Sequence, residues 1–274
     1  MRKGMTGIAL ILFLLAVIGR TDQTTGTDAR STIGHWRFEE GAPATCAKET
    51  LADSSGAGNH GKVSESPTFT SDVPVTEVSQ EKVKNRLALV FDGRADRVAF
   101  ASPFVFNQPG DATLEFWLKH AGKAHQAVFW GRPDNSDANR FHIYVNPDNT
   151  LGVDYREPSG KLHPIIGGGG PSGGVPFPPN MWTHIALTRA GNTYRLYVNG
   201  ALQFTHSDAT PKLPTSIGWF ISGRRGYDLV GSVDEVRISN VALSPELFLS
   251  VGHTADRPQH NTDYGSRPSR PIGE

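Results

Sequence analysis

Trp182-Thr183-His184-Ile185-Ala186-Leu187-Thr188-Arg189, Ala190-Gly191-Asn192, Thr193-Tyr194-Arg195-Leu196-Tyr197-Val198 and Asn199-Gly200 follow one another without a break. Side chains of a strand alternate between two faces, so Trp182, His184, Ala186 and Thr188 oppose Thr183, Ile185, Leu187 and Arg189. Both sets are partly apolar, which predicts an inner strand covered on both sides. In the next run Tyr194, Leu196 and Val198 share one face, opposite Arg195 and Tyr197. Ala190-Gly191-Asn192 predicts one hairpin turn and Asn199-Gly200 a second, because Asn and Gly tolerate the positive φ that tight hairpins need.

The same grammar extends outward. Short runs rich in β-branched and aromatic residues recur between Gly, Pro, Asn and Asp at Ile33–Phe38, Leu87–Phe91, Arg97–Ala101, Thr113–Lys119, Ala127–Trp130, Phe141–Val145, Gly152–Tyr155, Leu202–Thr205, Ile217–Gly223 and Ser232–Ser239. No long stretch has apolar residues at helical spacing. About a dozen strands at this interval predict an all-β fold, a two-sheet antiparallel sandwich or jelly roll. The one expected helix is short, over Ser244–Ser250, with Ser244 as N-cap and Pro245 at the first helical position.

Three groups of residues, in order, carry a resemblance. The first is His35-Trp36-Arg37-Phe38-Glu39-Glu40-Gly41, leading to Asp53-Ser54-Ser55-Gly56-Ala57-Gly58-Asn59-His60-Gly61. The second is Leu89-Val90-Phe91-Asp92-Gly93, then Ala112–Lys119. The third joins Trp182–Leu187, Tyr194–Gly200 and Gly231-Ser232-Val233-Asp234-Glu235-Val236-Arg237-Ile238-Ser239. Together they resemble the laminin-G-like jelly-roll family of the concanavalin A-like lectin/glucanase superfamily, over about residues 33 to 250. The resemblance implies a concanavalin A-like sandwich.

It also implies a calcium ion held between the opening acidic motif and the last strand. Glu40, Asp53 and Asp234 stand at matching positions, with Ser55 or Asn59 adding turn oxygens, and calcium takes six to eight oxygens. The insertion Ala42–Ala52 lengthens the motif. A second reading stays open, in which Asp53 caps a turn and Asp234 pairs with an arginine such as Arg237.

Lys and Arg together number 27, as do Asp and Glu, so the formal net charge is zero. A general nucleic-acid binder needs excess cations to displace counterions from phosphates, so that class is excluded. Arg2 and Lys3 precede an apolar run at Ile8–Ile18, which reads as a secretory signal over residues 1–19. The run is short for a membrane span, so no stable span is expected unless the signal stays uncleaved. The expected location is outside the cytoplasm of a bacterium, either secreted, periplasmic or at the cell surface. Residues 20–31 read as a linker, 32–250 as the domain and 251–274 as a disordered tail. Cys46 is the single cysteine, so no internal disulfide exists.

No catalytic residue is assigned. Glycosidases flank the scissile bond with two carboxylates. Here Glu115 stands without a partner on its strand, and Asp234 and Glu235 are adjacent. No histidine spacing suits zinc, and no Gly-x-Ser-x-Gly elbow is present. His184 reads as a core-strand histidine, and Trp130 and Trp219 as core aromatics. The Gly167–Gly174 run reads as a loop. Arg224, Arg225 and Tyr227 form the most binding-like loop, since aromatic rings stack on sugars and arginines hold carboxylates.

The reading that follows is an exported, non-catalytic module that binds carbohydrate or another cell-surface component. A structural or adhesive domain without a glycan pocket, and a glycoside hydrolase, are the alternatives. Because every strand motif lies inside 31–253, that fragment is expected to show a cooperative thermal transition, checked by calorimetry.

Overall fold

In a computed structural model the described residues are 31–249, apart from 79–81, 101–104, 123, 132–137, 168–173, 209–211, 216–217 and 225. The signal, most of the linker, the tail, most of the Gly167–Gly174 loop and Arg225 therefore lie outside the described residues.

The strands are β1 (Thr32–Trp36), β2 (Thr50–Leu51), β3 (Gly61–Ser64), β4 (Thr68–Thr70), β5 (Glu77–Val78), β6 (Val83–Lys84), β7 (Ala88–Asp92), β8 (Arg97–Phe100), β9 (Ala112–His120) and β10 (Gln126–Gly131). They continue as β11 (Arg140–Val145), β12 (Thr150–Arg156), β13 (Leu162–Ile166), β14 (Val175–Pro176), β15 (Thr183–Ala190), β16 (Thr193–Val198), β17 (Ala201–Ser207), β18 (Trp219–Ser222) and β19 (Val230–Ser239). One sheet runs β17-β16-β15-β9-β19-β7-β4, with β1 also on β19. The other runs β13-β12-β11-β10-β18-β8-β3-β2, with β14 also on β12. All pairings are antiparallel, so the expected two-sheet sandwich is the fold.

Alternation along the strands fills the space between the sheets. Leu114, Phe116 and Leu118 of β9 and Ile185 and Leu187 of β15 meet Phe129, Phe141, Ile143 and Val153 of the opposite sheet. Trp36, Phe100 and Trp219 form an aromatic knot, with Phe100 and Trp219 stacked at 3.8 Å. Trp219 is a core residue, as expected. Trp130 is buried too, as expected, but on the outer face of its sheet, where it stacks on Phe220 at 4.5 Å.

The turns follow their residues. Asn199 and Gly200 both have positive φ, at 49° and 76°, between Val198 and its partner Ala201. β15 lies between β9 and β16 and is buried from Thr183 to Arg189, so the reading of an inner strand holds. The reading of a helix over Ser244–Ser250 is corrected. Only Pro245–Leu247 forms a 3-10 turn, and Ser244 makes no side-chain cap to the backbone. The segment is held instead by tertiary contacts. Leu243 and Phe248 pack on Ala186 and Tyr197, covering the outer face of the β9–β15 sheet.

Glu115 sits under that cover and is fully buried. Its Oε1 accepts from Arg237 Nε at 2.7 Å, and its Oε2 from the Leu249 backbone N–H at 2.8 Å and lies 3.0 Å from His184 Nε2. Burial alone would raise its pKa, but Arg237 and then His184 outweigh it and hold it at about 2, against an ordinary 4.5. That gap corresponds to about 3 kcal/mol of folding stability. The contribution is complete above the ordinary value and is lost as pH falls through the folded one. Glu115→Gln strands the buried Arg237 charge and is expected to cost about 3–5 kcal/mol. Denaturant melts between pH 7 and pH 2.5 check this, with the variant less stable at pH 7 and flatter on the acid side.

Candidate functional site

The opening acidic motif meets the closing strand, as the resemblance implied, but each carboxylate is engaged separately. Asp53 Oδ1 accepts from the backbone N–H groups of His35 and Ser55, both at 2.9 Å, and Oδ2 accepts from Asn59 N at 2.9 Å. This makes Asp53 the cap of the Asp53–Asn59 turn. Burial would raise its pKa; the bonds from Ser55, His35 and Asn59 prevail and lower it. Glu40, exposed, accepts from Ala52 N at 2.7 Å, and Glu39 accepts from Arg86 N and Leu87 N.

Asp234 is fully buried; its Oδ2 accepts from Asn85 Nδ2 at 2.7 Å and its Oδ1 from Glu235 N at 2.9 Å. Its partner is thus Asn85, not Arg237, which binds Glu115. Burial, followed by the neighbouring Glu235, raises the Asp234 pKa well above the carboxylate range. A bulge between Asp234 and Arg237 places Glu235 at φ 45°. Glu235 accepts from Arg37 Nε at 3.1 Å and lies 2.6 Å from His35 Nε2. Among the described residues no three of His, Cys, Asp and Glu are grouped so as to hold a metal ion. As arranged, Glu40, Asp53 and Asp234 do not fit a calcium cage.

A different cluster lies on the outer face of the second sheet. Registered pairs run straight across it: Ala99↔Phe220, Phe220↔Trp130, Trp130↔His142, His142↔Asp154 and Asp154↔Pro164. Phe141, Ile143 and Val145 of β11 point into the core, so Arg140, His142 and Tyr144 point out. On β12 Gly152, Asp154 and Arg156 share that side. A bulge between Ala127 and Phe129 lets Val128 and Phe129 both join the core, which turns Trp130 outward.

Besides Trp130, the side chains of Arg140, His142, Tyr144 and Asp154 on this outward face are buried. Arg140 Nη1 and Asp154 Oδ1 pair at 3.0 Å. The rings of His125, His142 and Tyr144 touch mutually, with centroids 4.7–5.8 Å apart. Gly152 permits this, because a Cβ there would stand 2.4 Å from the Tyr144 ring.

Tyr227 meets His125 edge-on at 5.1 Å, and the Arg224 guanidinium lies over the Tyr227 ring at 4.7 Å. Their loop is pinned to β10, with Ala127 N donating to Tyr227 O at 2.7 Å, and is turned by Gly223 and Gly226 at positive φ. Burial, then Arg140, Arg224 and His125, pushes the His142 pKa well below the ordinary value. Burial and then Arg224 lower His125 as well. Burial raises Asp154, against the pull of Arg140, Arg156 and Arg224. The Tyr144 hydroxyl is raised too, mainly by burial.

Two residues of the expected binding loop, Arg224 and Tyr227, therefore border this cluster; Arg225 lies outside the described residues. Strand residues Arg140, His142, Tyr144 and Asp154 escaped the sequence reading. Their signal was present: an Arg-x-His-x-Tyr alternation against Phe, Ile and Val, where a plain solvent face carries Ser, Thr or Lys. Asp154 is the one carboxylate in the registered row, so the row offers no pair to flank a glycosidic bond.

A sequence profile of the laminin-G type, described as the concanavalin A-like lectin/glucanases superfamily, matches residues 92–247. No curated protein sequence matches the chain. Among solved structures, the binding domain of botulinum neurotoxin serotype D is similar with a TM-score of 0.57 and 13% identity, over 80% of this chain and 50% of that one. The same serotype's ligand-binding domain in complex with N-acetylneuraminic acid gives 0.58 and 13%, over 81% and 50%. Domain 4 of an extracellular arabinanase from Geobacillus stearothermophilus, in complex with arabinotriose, gives 0.58 and 16%, over 80% and 97%. This chain spans about half the length of the toxin chains, and identities this low show a shared fold.

The separate hydrogen bonds of the acidic motif lead to a direct expectation. Asp53→Ala leaves three backbone N–H donors without their acceptor and should cost about 2–4 kcal/mol. Adding EDTA or calcium to the wild type should leave its melting curve unchanged, because the acids already serve the backbone and Asn85. Differential scanning calorimetry of both proteins checks the pair.

Proposed function

The chain belongs to the concanavalin A-like lectin/glucanases superfamily, and on that footing we propose that it is an exported, non-catalytic carbohydrate-binding module. The ligand site is the outer face of the β10–β12 region with the Arg224–Tyr227 loop. One observation carries the reading: His125, His142, Tyr144 and Tyr227 form a continuous ring cluster, exposed at Tyr227, beside a buried Arg140–Asp154 pair. Sugars present apolar C–H faces and a fringe of hydroxyls. Rings stack on the former, and charged groups take the latter through charge-assisted hydrogen bonds.

Access is graded in the way a binding face requires. Tyr227 is 41% exposed, Arg224 and His125 are half-buried, and Arg140, His142 and Asp154 form the floor. Domains of toxins and of an arabinanase that share the fold have been captured with saccharide ligands, which makes a sugar the natural first ligand to test. The absence of a second carboxylate in the row favours binding without hydrolysis. Export rests on the Arg2-Lys3 and Ile8–Ile18 pattern. No helix of the described residues is long and apolar enough to cross a membrane.

A glycan array probed with the full chain tests the proposal. Binding to at least one saccharide class is expected, with no release of reducing sugar. Tyr227→Ala, which removes an exposed ring, should weaken that binding about tenfold, consistent with about 1–1.5 kcal/mol for an aromatic contact. It should leave the melting temperature within about 2 °C, as expected of an exposed site. Unchanged affinity in this variant would move the site elsewhere.

A further inference from the structure

We infer that β17 is the seam of a homodimer, in which two copies of this chain pair their β17 strands antiparallel about a two-fold axis.

β17 ends its sheet and has one partner among the described strands, β16. An unpaired edge is a template for another strand, and folded proteins blunt it with charges, proline, short length or a covering loop. The other described edges of the sandwich are treated in this way. In β1 the turn after Asp53 takes up the backbone: His35 N–H donates to Asp53, and the His35 and Ile33 carbonyls accept from Ser54 N and Asn59 Nδ2. β4 is three residues long and is covered by the segment 44–47, whose Ala44 and Ala47 N–H groups donate to the Phe69 and Pro67 carbonyls at 2.8 and 2.7 Å. β2 and β14 have two residues each, and β13 carries Pro164. β17 has seven, Ala201-Leu202-Gln203-Phe204-Thr205-His206-Ser207, with no proline and no Asp, Glu, Lys or Arg. Both its ends are fixed. The Asn199-Gly200 turn holds one, and at the other Asp208 N donates to Asn192 O at 3.0 Å while the Tyr155 hydroxyl donates to the Asp208 carboxylate.

The exposed side chains say what kind of strand fits this edge. Ala201 to Thr205 are all exposed, Leu202 to 53% and Phe204 to 37%. These two fall on opposite faces. Leu202 is registered with Tyr197, which packs on Phe248 outside the sheet, and Phe204 with Leu196 of the core. A bulge between them permits this, since strand residues two apart otherwise share a face. An edge that is apolar on both faces and uncharged selects a strand of the same character, and β17 of a second copy is one. A two-fold axis perpendicular to the sheet lays each copy's Leu202 and Phe204 on the matching faces of the other, with no like charges opposed. The chain's zero formal charge adds no long-range repulsion between copies. Seven residues span about 23 Å, so a single strand pair makes a small interface of the transient class. The same axis turns the Tyr227 faces of both copies to one side, a consequence for the proposed ligand site on which the dimer itself does not depend.

Sedimentation velocity of the full chain, from about 1 to about 500 µM, tests this. A reversible monomer–dimer equilibrium is expected, with a dissociation constant on the order of 10–100 µM. It should be insensitive to salt, because the seam holds no charge. Phe204→Lys sets two cations close to the axis and should weaken the dimer at least about tenfold. Leu202→Lys, at the more exposed position, should do the same, and both variants should still melt cooperatively. Mixing Phe204→Lys with Phe204→Glu should restore the dimer, since opposite charges then meet across the seam. A chain that stays monomeric throughout would overturn the inference. So would a dimer that survives both lysine variants, because the contact would then lie elsewhere on the chain. A charge-swapped mixture that stays monomeric would overturn it as well.

Discussion

Strand β19 is held along both edges, by β9 on one side and by β7 and β1 on the other, and the sheet has no centre without it. Its side chains also tie down the rest of the chain. Arg237 reaches Glu115 of β9 and, through Nη2, the Leu247 carbonyl at 2.5 Å, so one guanidinium joins the strand to the C-terminal cover. Glu235, turned by the bulge, engages His35 and Arg37 from the first strand and its exit. Asp234 fixes Asn85 ahead of β7. A fold with one cysteine and no disulfide closes its two ends through these buried polar contacts.

That arrangement explains why the domain's ends were legible from sequence while their chemistry was not. Alternation and Asn-Gly turns are local signals, and β15 and β16 could be read from them to within a residue, β17 to within two. The identity of a carboxylate's partner is non-local. Glu115 looked unaccompanied on its own strand because its partners lie 69 and 122 positions away. Asp53 was legible as a turn cap, since two of its three backbone donors, Ser55 and Asn59, lie within six positions. Asp234 was not, because the bulge beside it breaks the alternation used to place its side chain.

Several strands that escaped notice did so for physical reasons. β13 contains Pro164, which donates no ladder hydrogen bond, and it lies at the edge of its sheet where that costs least. β2, β5, β6 and β14 are two residues each, too short to show a period. In β11 the error was one of emphasis. The run Arg140-Phe141-His142-Ile143-Tyr144-Val145 was legible as a strand from its apolar half, and its polar half was left without a purpose. Only the register shows that His142 lies between Trp130 and Asp154, which turns three unremarkable residues into one surface.

Both outer faces of the sandwich bury ionisable groups, and the contrast between them argues for where the function lies. On the first sheet the charges balance pair by pair, Glu115 with Arg237 and Glu235 with Arg37, and Phe248 and Leu249 close over Glu115. This set holds segments together, and a further ligand would have to break a pair to enter. On the second sheet Arg140 pairs with Asp154, and the bordering loop exposes Tyr227 instead of closing the face with apolar residues. A buried ion pair adds little stability over an apolar face of the same size, so its place beside an exposed ring speaks for binding rather than for folding.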